Sequence, residues 1–381
     1  YKRQRLLTFV ASPLFNNNEP YKAGEAADKH YVWYGDYQQS RWQDALDAGL
    51  AFIRENNDRY KLVKTGEPRK DFCSGFFDRY NGEVLITSHR WIKWDINAKS
   101  IQQYSYGVCS PLLNYADMFP MKDGSEFSWD NPAHREHPFF DANGNEVRDP
   151  RLYETLIVNG DKFWGRKAEI YEGGREMPED MGTGQNWRWK NMGYPGVAMR
   201  KLVQDHNNEL SNKFYQCPLM RLPEIYLNIA EAMNELGKAE EVDEFGNTAY
   251  DYINIVRDRV KMKHITPEEV APGVALREAI LKERALEFGF EEVRHYDIVR
   301  WKHSDYLTNL KRKRLKIWLK DGEKKEDVKD PRKHVFRYEI KEESINQRVW
   351  TDQWDDRYYL CPIDLKEINK KYGLVQNPGW E

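Results

Sequence analysis

Between residues 219 and 301 the apolar side chains recur on a helical period three times in succession, and this constrains the whole chain. Leu222, Ile225, Tyr226, Ile229, Ala230 and Met233 form one stripe, ended by Gly237. Ala249, Tyr252, Ile253 and Val256 form a second, and a third runs from near Val274 through Ile280 to Phe288. Apolar residues three and four apart share one face of a helix, and each such face has to be covered. The packing this predicts is two antiparallel helix hairpins on a scale of roughly 34 residues, tetratricopeptide-like but without the strict consensus.

The opening residues have the same character. Leu6, Leu7, Phe9 and Val10 lie at helical spacing with no capping residue ahead of Tyr1, so the helix is expected to begin before the sequence does. The run Ala11-Ser12-Pro13-Leu14-Phe15-Asn16-Asn17 then breaks the pattern. Trp42, Ala45, Leu46, Gly49, Leu50, Phe52 and Ile53 make the stripe of a second helix. The small residues Ala45, Ala48 and Gly49 would let a neighbouring helix come close.

From about Gly66 to Gln216 no long amphipathic period is sustained. Strand-like pieces such as Val84-Leu85-Ile86-Thr87 stand between Gly, Asn and Pro clusters. The chain therefore divides into a helical-repeat part (1–65), an irregular aromatic-rich region (66–216), tetratricopeptide-like helices (217–305) and a C-terminal loop region with a closing motif (306–381). The expected fold class is mostly α, a tetratricopeptide-like scaffold carrying a large irregular loop and short-strand binding region. Residues 311–333 hold 11 Lys/Arg and 5 Asp/Glu, and read as a solvated loop.

Composition excludes several classes. A mean hydropathy of -0.88 and the lack of any apolar run near ~20 residues exclude an integral helical membrane protein. Lys+Arg at 59 against Asp+Glu at 62 gives no electrostatic case for nucleic acid. The four cysteines (73, 109, 217 and 361) contain no C-x-x-C, and their spacing selects no pairing. His134 and His137 lack the spacing of a zinc site. Asp141-Ala142-Asn143-Gly144-Asn145 with Asp149 suggests a calcium loop, yet lacks the closing Glu, and an Asn-Gly turn explains it better. No nucleophile elbow, P-loop or dinucleotide fingerprint is present, so neither metal nor cofactor is expected.

One carboxylate pair invites a catalytic reading. Glu283 and Glu287 share a helix face one turn apart, as acid–base glycoside cleavage would want. Arg284, Arg294, Asp297 and Arg300 crowd the same segment, however. Carboxylates among guanidinium groups stay ionised, the wrong state for a general acid. A structural network of Glu283, Arg284, Glu287, Arg294, Asp297 and Arg300 is the better expectation.

That segment, with Trp301, also carries a family resemblance. Glu283-Arg284, Glu287, Arg294, Asp297 and Arg300-Trp301 stand at the intervals seen in the SusD/RagB family. Arg221 to Ala232, Ile253 to Arg259, Phe119 to Gly124 and Arg148 to Thr155 resemble further motifs of that family. So does the ending, from Tyr358-Tyr359-Leu360-Cys361-Pro362 to Gln376-Asn377-Pro378-Gly379-Trp380. The resemblance spans nearly the whole chain and places Tyr1 well inside the usual domain, so the family's N-terminal helices and lipidated cysteine would precede it.

The resemblance implies a lipid-anchored protein on the outer face of the outer membrane of Bacteroidetes-type bacteria. It implies capture of a glycan without cleavage, and delivery to a SusC-like TonB-dependent transporter. Sugar C–H faces stack on aromatic rings while hydroxyls meet amides and charged groups. The candidate contacts are Trp91, Trp94, Tyr104, Tyr106, Trp129, Trp164, Trp187 and Trp189, each equally compatible with a buried role. Trp129, beside Asp130 and Asn131, is expected to be exposed, whereas Trp42 and Trp301 are expected in the core. A glycoside hydrolase using Glu283 and a helical-repeat peptide-binding adaptor are the alternatives.

Overall fold

A computed structural model describes residues 1–56, 58–92, 111–163, 165–177, 196–202, 213–306, 308, 311–343 and 354–381; for residues 89–92, 213–215 and 343 it describes the backbone alone. Twelve α-helices and eight short strands occur among the described residues. Helix α1 spans Lys2–Ala11, α2 Glu25–Asp28, α3 Ser40–Asn56 and α4 Pro68–Phe77. The three stripes of the central region form α8 (Leu222–Glu235), α9 (Ala249–Arg259) and α10 (Val274–Glu287), followed by α11 (Val293–Arg300). Between them lie β1 (Val84–Ile92), α5 (Leu113–Asp117), α6 (Pro132–Glu136), α7 (Pro150–Thr155), β2 (Leu156–Ile157), β3 (Lys162–Phe163), β4 (Arg166–Lys167), β5 (Ala198–Met199) and β6 (Lys213–Arg221). The chain ends through β7 (Arg312–Trp318), β8 (Arg337–Glu343) and α12 (Leu365–Ile368).

Helix α8 is the centre of the bundle. Twelve of its 14 residues are buried, because α1, α3, α9 and α10 all pack on it. A helix enclosed on all sides should be apolar all round, yet α8 carries a polar stripe at Glu224, Asn228, Glu231 and Glu235. Each position receives an arginine: Arg5 of α1, Arg284 and Arg277 of α10, and Arg300 of α11. The rest of the surface of α8 joins the main apolar cluster with Ala45, Leu46, Ile253, Val256 and Ile280. Trp42 and Trp301 stack within it at 5.8 Å, the core placement expected for both.

Close approach is achieved where small residues were expected to permit it. Gly49 of α3 faces both α1 and α8, and a Cβ built there would lie 2.5 Å from Ile229 Cγ1. Helix α9 begins with a capping box in which Thr248 and Asp251 satisfy one another's backbone N–H groups. Helix α1 departs from its expected stripe. It buries Gln4, Thr8 and Ala11 while Leu6 is 61% exposed.

The irregular middle is held by pairing and by a second core. Strand β1 pairs antiparallel with β6 from Val84↔Arg221 to Ile92↔Lys213, which places Val84 to Thr87 in a strand as expected. Phe119, Phe140, Leu152, Tyr153 and Phe336 pack in a separate cluster, around which the Arg148 guanidinium donates to the carbonyls of Ala116 and Phe119. In the Asp141 loop the carboxylate accepts from the N–H groups of Asn143 and Asn145, and Gly144 adopts φ +82°. Asp149 caps α7 through Arg151 N–H. Both acids are occupied by their own backbone, which is the Asn-Gly turn reading.

The solvated-loop expectation for 311–333 is corrected over its first part. Arg312–Trp318 is a strand, paired residue for residue with Arg337–Glu343. Leu315 and Ile317 alternate with lysines and enter the second core, a period-two signal that the surrounding charges obscure. At the C-terminus the Trp380 indole N–H donates to the carbonyls of Arg357 and Leu360, closing the preceding turn.

Gly49→Val is expected to destabilise the chain by about 1–3 kcal/mol, since neither Gln4 nor Ile229 can move aside without opening the α1–α3–α8 contact. A lower denaturant midpoint with unchanged slope would show it.

Candidate functional site

The expected structural network is the most highly charged part of the interior. Glu287 Oε1 accepts from Arg221 Nη1 at 2.8 Å and from Arg259 Nη2 at 2.6 Å. Its Oε2 accepts from Arg259 at 2.6 Å and from Arg151 at 3.4 Å. Glu283 bridges Arg151 at 2.6 Å and Arg257 at 2.8 Å, and Glu83 accepts from both Arg221 and Arg259. With Asp149, Lys201 and Glu291 the cluster holds five acids and five bases, all with buried side chains. A second, smaller set joins Asp297 to Arg284 and Arg300, and Arg300 to Glu231. Arg294 stands apart from both, with its guanidinium 4.7 Å over the Tyr306 ring.

This arrangement is ill suited to proton transfer. Burial pushes the Glu283 and Glu287 carboxyls up, but the neighbouring guanidinium groups outweigh it and hold both below the usual carboxylate range. Asp297 is lowered in the same way, with Arg284 and Arg300 overcoming its desolvation. None of the three presents a protonated carboxyl to solvent.

The aromatic candidates fall mostly elsewhere. Trp94, Tyr104, Tyr106, Trp164, Trp187 and Trp189 lie outside the described residues, and Trp91 is described only as a β1 position opposite Phe214. Trp129 is half-buried rather than freely exposed. Its indole N–H donates to Asp117 at 2.9 Å, and its ring meets Phe127 edge-on at 5.0 Å and Tyr338 at 5.8 Å.

A surface that the sequence reading passed over lies between α2 and α3. Tyr31, Tyr34 and Tyr37 are 66%, 49% and 47% exposed, and Trp33 is half-buried beside them. The segment is an arch braced at every step. Trp33 Nε1 donates to the Ala27 carbonyl at 2.9 Å, and Tyr34 N–H to Phe15 O at 3.0 Å. Gly35 turns at φ +87°, where a Cβ would lie 2.6 Å from the His30 ring. Buried Asn16 clasps the base: its Oδ1 accepts from Gln38 N–H and Arg41, and its Nδ2 donates to Ala11 O and Gln38 O. Arg41 also pairs with Asp36 and lies 4.0 Å over the Tyr34 ring. The available signal was density: four aromatics within seven positions, in a stretch interrupted by Gly35 and too short to define a helix.

Exposed rings on a braced backbone suit a flat, hydroxyl-rich ligand. Arg41 further holds the Tyr34 ring, and Asp36, Gln38 and Asn18 offer polar groups around the rings.

Among known proteins, the SusD family model matches residues 54–380. The fold is similar to that of a SusD-like protein from Bacteroides fragilis NCTC 9343, at 23% identity and TM-score 0.62, covering 89% of this chain and 62% of that one. It is similar also to a SusD-like carbohydrate binding protein from the same organism, at 22% identity and TM-score 0.55, covering 87% of this chain and 61% of that one. A SusD superfamily protein from Bacteroides vulgatus ATCC 8482 matches at 18% identity and TM-score 0.52, covering 99% of this chain and 67% of that one. The chain thus spans less than two thirds of the length of the first two. No curated protein matches it in sequence.

The charged cluster predicts a pH response. Carboxyls held below their ordinary values contribute stability that is complete above about pH 4.5 and is lost as pH falls toward their folded values. Burial, opposed by Glu291, pushes the Lys201 ammonium down to about 8, so its contribution rises between roughly pH 8 and 10. Thermal melting from pH 7 downward should show a plateau and then a steep fall below about pH 4. Glu283→Gln, which leaves Arg151 and Arg257 sharing a neutral partner, should cost about 3 kcal/mol at pH 7.

Proposed function

The chain belongs to the SusD family, and from that premise we propose that it captures a polysaccharide or oligosaccharide at the cell surface without cleaving it. Its own geometry supports this through one observation above all, the braced and exposed arch of Tyr31, Tyr34 and Tyr37. The arch precedes the span that the family model matches, so it argues for glycan contact independently of that match. One structural relative is described as a carbohydrate binding protein. Capture without cleavage is consistent with carboxylates that are buried, paired and held ionised.

The finer parts of the proposal follow the family resemblance. The bound glycan would be handed to a SusC-like TonB-dependent transporter, with the protein held on the outer membrane by an N-terminal lipid. The aromatic residues of the 66–216 region, Trp129 among them, would extend the contact surface. The small net charge of -3 suits a neutral glycan, because long-range attraction or repulsion contributes little.

Affinity electrophoresis against a panel of polysaccharides tests the reading. At least one glycan should retard the wild-type chain, and Tyr31→Ala combined with Tyr34→Ala should weaken that retardation about tenfold with the melting temperature held. Failure of every glycan to retard the wild-type chain would sink the proposal. Release of reducing sugar by the purified chain would instead favour a hydrolase.

A further inference from the structure

Where α1 lies beside the start of α11, residues of both helices line a cavity of about 540 Å³. That volume lies within the range of small-ligand sites, ~300–1,000 Å³. Its walls are Leu6, Phe9, Val293 and Tyr296, with Phe9 and Tyr296 edge to face at 6.1 Å. Leu6 and Tyr296 are 61% and 54% exposed although both belong to this one concave surface.

Two buried polar atoms of residues lining the cavity have no partner among the described residues. Asn228, 1% exposed, has its amide orientation fixed because Oδ1 accepts from Arg284 Nη1 at 2.6 Å. Its Nδ2 therefore remains an unused donor. Thr8, 3% exposed, has an unpartnered hydroxyl. A buried donor or hydroxyl left unsatisfied is destabilising. The eight ionic groups lining this surface balance at four of each sign, and within it Arg5 pairs with Glu224 and Arg284 with Asp297. An ionic ligand would upset that balance, whereas a neutral one need not.

We propose that this cavity is a second carbohydrate site, distinct from the arch, that takes a single neutral sugar unit. A sugar carries acceptor oxygens for Asn228 Nδ2, hydroxyls that can both donate to and accept from Thr8 Oγ1, and a C–H face for Phe9 and Tyr296. The inference rests on reading the chain as a glycan binder. It also accounts for the inverted surface of α1, where buried Thr8 and exposed Leu6 both face the same cavity.

Titration with methyl glycosides of common neutral hexoses and pentoses, followed by ligand-observed NMR, tests it. The wild-type chain should bind at least one glycoside. Thr8→Val should weaken that binding about two- to tenfold while the melting temperature holds or rises, because an unpartnered buried hydroxyl is removed at constant shape. Tyr296→Ala, at an exposed position, should weaken it similarly, and Tyr372→Ala, at an exposed position of the C-terminal segment, should leave it unchanged. Glycoside binding unaltered by Thr8→Val and Tyr296→Ala would overturn the cavity site yet leave the glycan reading standing. So would retention of polysaccharide with no glycoside bound. Binding of neither overturns both.

Discussion

Glu287 is the point on which the architecture converges. Its carboxylate takes guanidinium groups from α7, from the β6–α8 junction and from α9, while its own helix α10 packs on α8. Four elements spread over 136 residues of sequence are thereby held in one relative placement. Desolvating charges can cost as much as their attraction returns. What the network supplies is specificity. A slip of α10 by one residue would draw Glu283 and Glu287 away from Arg151, Arg221, Arg257 and Arg259 and leave Arg257 without an acid of the cluster, a penalty of about 3–5 kcal/mol and a large part of the stability of a typical domain.

The polar stripe on α8 follows the same logic at a smaller scale. Glu224, Asn228, Glu231 and Glu235 each take one arginine from a different place on the surrounding helices. An apolar stripe of equal volume would pack nearly as well in several registers. Directional pairs at these positions admit only one, and the cavity beside Asn228 depends on that register.

Sequence periodicity showed α3, α8, α9 and α10 clearly, because their apolar residues recur every three or four positions and their burial follows directly. The charged interior was legible only in part. Glu283, Arg284, Glu287, Asp297 and Arg300 are close in sequence, so their crowding was visible, but Glu83, Arg151 and Arg221 reach the same cluster from distant elements. No local pattern records such meetings. Strand β7 was hidden because lysines and arginines on its outer face dominate the composition of the segment, although Leu315 and Ile317 keep period two. The arch was overlooked for a related reason. Its tyrosines recur every third residue over only seven positions, too short a run to mark an element, and their significance lies in the braces from Asn16, Ala27 and Phe15, which become apparent only once the chain has folded.

Weak contacts on rigid supports suit capture better than tight binding. A ring stacked on a sugar face adds on the order of 1 kcal/mol, so three tyrosines and one small cavity reach only the few kcal/mol of a millimolar complex. A polymer that meets several such contacts at once gains avidity through effective concentration, whereas a released fragment keeps almost none. On the proposed reading, a surface built this way would hold long glycans and let short ones go. That discrimination would require the rings to stay fixed relative to one another, since flexible rings would lose their stacking energy to ordering. The buried clasp of Asn16 and the turn at Gly35 would then be as much a part of binding as the tyrosines whose backbone they hold.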